Sequence, residues 1–141
     1  MHEAEMHSET VKEKVARLLA AETEEQGGRV YIKTKRMLEI TAYNKCFACE
    51  VEHNISFEDF LKNGSAINKA EIFLLPQEYL PFCFAWDNHH IPFPAQYRQW
   101  QRTTPHIISV CFESVEPPEY FAERLSDALQ VIEQISHQKE M

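Results

Sequence analysis

At 141 residues, with 44% apolar and 26% charged side chains, the chain has the length of one domain and ordinary globular usage, which argues against a disordered or fibrous protein. A net charge of -8 disfavours nucleic acid, whose phosphates are met by Lys and Arg. No stretch approaches the ~18 apolar residues of a membrane span, and the acidic start MHEAEMHSETVKEK is unlike a secretory leader, so the reading is a cytoplasmic protein with no membrane partner.

In chain order, residues 1–7 read as a loose tail. Val11, Val15, Leu18 and Leu19 then recur at the spacing of one helix face. Ser8 is the expected cap, and Gly27-Gly28 the expected end of a helix of about four turns. After the glycines the period becomes two. Val30 and Ile32, then Leu38 and Ile40, then Phe47, Cys49 and Val51 each share a face, which predicts three successive strands with a turn at Asn44-Lys45. ISFEDFLKNG reads as a short helix with Ser56 as cap and Gly64 as stop. AEIFLLP and YLPFCFAW read as strands, the second with Phe82, Phe84 and Trp86 in the core and Pro81 at an edge. Residues 87–105 read as a loop, with a short helix AQYRQWQR after Pro94. HIISVCF is a strand, and Pro117-Pro118 open a C-terminal helix with the stripe Phe121, Leu125, Ala128, Leu129, Ile132 and Ile135.

The order predicts a single α+β domain, residues 1–141, built as a mostly antiparallel sheet of five to six strands covered by N- and C-terminal helices. Three glycines and no GxGxxG or GxxxxGK[ST] leave no place for a nucleotide-binding loop.

Four cysteines thinly spread along the chain suit buried thiols in a reducing compartment. Cys46 and Cys49 have CxxC spacing, but they stand in a strand without the helix N-terminus a redox pair uses or the further ligands zinc needs. DNHH, residues 87–90, offers metal-ligating types. Adjacent histidines on extended chain point to opposite sides, however, so no metal or cofactor is expected there. As a catalytic set, Asp87, His89 and His90 would supply base and orienter for a small hydrolase, with Cys83, Ser109 or a water as nucleophile, or for a metal-dependent one in which they would hold zinc. Glu123, Asp127 and Glu133 read as a solvated helix face.

The densest feature is aromatic. Phe93, Tyr97, Arg98, Trp100 and Arg102 concentrate the residue types that dominate binding hot spots, and they are the expected partner-binding set. In size, acidity and α+β order the chain is similar to small bacterial toxin-immunity proteins and type III secretion chaperones, a resemblance of class that no motif carries. The charge balance, the lack of a catalytic motif and the aromatic loop together imply a non-enzymatic protein-binding module, an inhibitor, immunity protein or chaperone, that meets a basic partner protein.

Overall fold

A computed structural model describes residues 10–140. The elements are α1 (Val11–Leu18), β1 (Thr23–Gln26), β2 (Arg29–Ala42), β3 (Lys45–Glu58), β4 (Ala66–Leu74), α2 (Pro76–Asp87), β5 (Tyr97–Thr103), β6 (Ile108–Glu116) and α3 (Pro118–Glu140). The six strands form one sheet in the order β1-β2-β3-β4-β6-β5, every neighbouring pair antiparallel, and the fold is α+β.

Alternation decides which face the helices cover. Val30 and Ile32 of β2 pair with Phe57 and Ile55 of β3, which stand beside Ala70 of β4 and, through it, Phe112 of β6. These residues form one buried layer against Val15 and Leu19, Phe82 and Trp86, and Phe121, Leu125, Ala128 and Ile132. α3 lies between α1 and α2 and packs on both. Among the described residues no helix covers the opposite face. β3 pairs with β4 only over Asn54–Glu58, so the rest of the β2–β3 hairpin continues as a two-stranded ribbon carrying exposed Met37, Tyr43 and Phe47.

Several local expectations need correction. The first helix is capped by Thr10, whose hydroxyl accepts the Glu13 N–H at 3.1 Å, and it ends by Leu19, where Ala20 takes a left-handed conformation. Residues 1–7 and Ser8 lie outside the described residues. Gly27 and Gly28, both at positive φ, make the two-residue turn between β1 and β2 instead of ending the helix. The next hairpin turns at Tyr43-Asn44, and β2 is one strand where two were expected.

The ISFEDF segment is not helical. Ile55 and Phe57 alternate into the core as the end of β3, a burial that outweighs the capping signal of Ser56. YLPFCFAW is helical instead: Pro76 opens α2, Glu78 accepts the Leu75 N–H at 2.8 Å, and Phe82 and Trp86, four apart, are buried while Phe84 is 70% exposed. AQYRQWQR is replaced by β5 from Tyr97 onward. Cys46 is exposed and Cys49 half-buried, so the pair is not the buried one expected; all four thiols are free.

Candidate functional site

The uncovered face of the sheet is a broad concave groove of about 510 Å³. It exists because the side chains that alternate with the core residues all point to it: Lys33 from β2, Asn54 and Ser56 from β3, Lys69 and Glu71 from β4, Cys111 and Glu113 from β6, and Trp100 and Arg102 from β5. Trp100 remains 40% exposed. The Arg98 guanidinium sits 5.1 Å from the Trp100 ring centroid and 3.0 Å from Glu113 Oε1, and Lys69 pairs with Glu58 at 3.0 Å. Neither Lys33 nor Arg102 has a carboxylate partner among the described residues. The groove is locally basic on an acidic protein. Burial and the nearby Glu71 carboxylate push the Cys111 thiol up, so it stands there as a neutral group.

The five expected binding residues divide between two faces. Arg98, Trp100 and Arg102 face the groove. Tyr97 points to the helix side, where its hydroxyl accepts the Trp86 indole N–H at 2.6 Å and donates to Gln99 Oε1 at 2.6 Å; burial raises its pKa. Phe93 packs on Tyr97 with the rings tilted by 39° and their centroids 4.5 Å apart, and it packs against the core.

The DNHH segment ends α2 and begins a loop pinned to α3 by Arg124. That guanidinium is fully buried and holds Glu116 with both terminal nitrogens, at 2.9 and 3.0 Å. It also donates to the carbonyl of Pro92 at 3.2 Å and lies 4.7 Å from the Phe93 ring centroid. So fixed, the loop sets His89 Nε2 2.6 Å from Asp127 Oδ2 and His90 Nε2 3.7 Å from Glu123 Oε1. The two imidazoles stack with centroids 4.4 Å apart instead of pointing to opposite sides, because the chain here is a helix end and a bend. Glu123 and Asp127, expected as a plain solvated face, are thus the histidines' partners.

As a hydrolase this arrangement is poor. Asp87 makes no hydrogen bond or ion pair with either histidine among the described residues. His89 Nδ1 accepts the Ile91 N–H at 3.2 Å, so the ring's proton belongs on Nε2 and goes to Asp127, which leaves no free basic nitrogen on that ring. Burial pushes the Cys83 thiol up, away from the nucleophilic thiolate. The Ser109 hydroxyl donates to Glu71 at 3.0 Å, on the far side of the sheet from the histidines.

Arg124 was legible in one respect. It falls among Phe121, Leu125 and Ala128, the buried stripe of α3, and a charge at such a position demands a buried partner. No curated protein and no solved structure matches the chain. Residues 13–131 match the model of a family described as "Domain of Unknown Function (DUF1259)". That span runs from α1 through the packed part of α3 and includes both the groove and the histidine loop, so the chain belongs to this domain family.

Proposed function

We propose that the protein is a non-enzymatic binding module that takes an extended segment of a partner protein along β5 and across the open sheet face, as a chaperone or inhibitor would. The observation that carries this reading is Trp100, an exposed aromatic on an edge strand, set between Arg98 and Arg102 at the rim of the groove. Among the described residues β5 pairs only with β6, which leaves its outer backbone groups without a strand partner there and suits strand addition.

Charge selects among occupants. Lys33, Lys69, Arg98 and Arg102 outnumber Glu58, Glu71 and Glu113 on this face, which favours an acidic segment in the groove, and the basic partner expected from net charge alone would be met by the acidic helices α2 and α3 instead. Pairing of β5 with a second copy centred on Trp100 would set Arg98 opposite Arg102, a like-charge contact that disfavours self-association.

The test is quantitative capture of a partner from extract of the source cells by the immobilised full chain, compared with Trp100→Ala and Arg102→Glu. Both variants should lose at least about tenfold in retained partner, since truncating a hot spot costs ~2 kcal/mol or more. Their melting temperatures should stay close to that of the parent, as both side chains are surface groups. Equal capture by the parent and both variants overturns the proposal.

A further inference from the structure

We infer that His89, His90 and Glu123 form a binding site for a borderline transition-metal ion of the zinc class, with Asp127 as the fourth ligand. This inference is independent of the groove. Ligand atoms of the two histidines and Glu123 all lie within 4.8 Å of one another, and Asp127 Oδ2 is already 2.6 Å from His89 Nε2. Two imidazoles with carboxylates suit zinc and its neighbours better than calcium or magnesium, which prefer all-oxygen sets.

The scaffold is built to hold such a set. Glu123 and Asp127 are one turn apart on α3 and project to the same side. His89 is the fixed element: its side chain is 5% exposed, and the loop that carries it is tied down through buried Arg124. His90 and Glu123 are the movable ones, with side chains 74% and 40% exposed. Ligands at about 2.0–2.1 Å from one tetrahedral ion stand roughly 3.3 Å apart, so closure requires rotation of these two exposed side chains toward His89 and a widening of the 2.6 Å contact between His89 and Asp127. Binding through His89 Nε2 shifts the ring proton to Nδ1, and the Ile91 amide has to release that nitrogen. That rearrangement weakens the site, and its affinity is expected in the micromolar range.

The experiment is calorimetric titration of the untagged, reduced full chain with zinc ion alone, in parallel with His90→Ala, Glu123→Gln and the paired change Cys46→Ser with Cys49→Ser. Melting curves without metal confirm that each variant folds, and the exposed positions of His90 and Glu123 make that the expectation. The result expected is one equivalent of zinc, weakened at least tenfold by either His90→Ala or Glu123→Gln and unchanged in the cysteine variant. Absence of binding in the parent overturns the site. Binding that survives both loop and helix changes, or is lost with the cysteines, overturns it equally, by placing the ion elsewhere.

Discussion

Arg124 and His53 show how single residues fix the fold's chemistry. Removing Glu116 would leave the Arg124 guanidinium buried and uncompensated, and Glu116→Ala is expected to cost about 3–5 kcal/mol in denaturant unfolding. Replacing both members, Glu116→Leu with Arg124→Met, should recover part of that loss, because it is the orphaned charge that is expensive. His53 is buried, and its Nδ1 accepts the Phe73 N–H at 3.1 Å. Burial first, and the nearby Arg36 second, lower its pKa to about 4, from an ordinary value of 6.5. The folded protein therefore refuses a proton that the unfolded chain accepts. His53's stabilisation is complete above pH 6.5 and is lost as pH falls from there toward 4, by roughly 3 kcal/mol in all. Stability measured against pH should fall less steeply in that window for His53→Gln, which keeps an acceptor but does not titrate. An unchanged slope would show that His53 is not the group responsible. At this scale the sequence showed residue types without partners: His89 and His90 stood out as candidates, but Asp127 and Glu123 lie more than thirty positions away, and only the packing of the loop on α3 brings them together.

Elements with a clear period and a single buried face were legible, and those dense in aromatics were not. The stripe of α3 and the alternation of β2 were readable because burial on one side imposes a period that local propensity reinforces. In YLPFCFAW, aromatic and apolar residues occupy nearly every position, so strand and helix periods fit equally well, and the decision fell to Pro76 and the Glu78 contact with the Leu75 N–H. The two readings differ measurably. On a strand Phe82 and Phe84 would share one face and count alike; on α2 they oppose each other. Phe82→Ala is expected to destabilise by about 3–5 kcal/mol and Phe84→Ala by less than ~0.5 kcal/mol in denaturant melts. Similar losses at both would contradict the helix. Residues 97–103 were missed as a strand because β5 is an edge whose side chains are nearly all exposed, so no buried face imposes alternation on YRQWQRT.

At the scale of the whole molecule, one antiparallel sheet is covered by helices on one side and left open on the other, and the open side gathers basic side chains that the net charge of -8 conceals. The α+β class followed from element order, since short connections between early strands require antiparallel neighbours. The groove did not, because it depends on which strands lie side by side: the connection through α2 carries the chain past one strand position to β5, and β6 returns as a hairpin into the gap beside β4, which sets Trp100 and Arg102 on the same face as Glu71 and Lys69 with β6 between them. The most direct measurement of the proposed binding mode is amide hydrogen exchange of the full chain, alone and in complex with the partner captured from source extract. Strand addition at the open face predicts slowed exchange concentrated in residues 97–103, with the β2–β3 ribbon and the outer face of α2 unchanged. Protection confined to the ribbon or to α2, with β5 exchanging as fast as in the free chain, would contradict it.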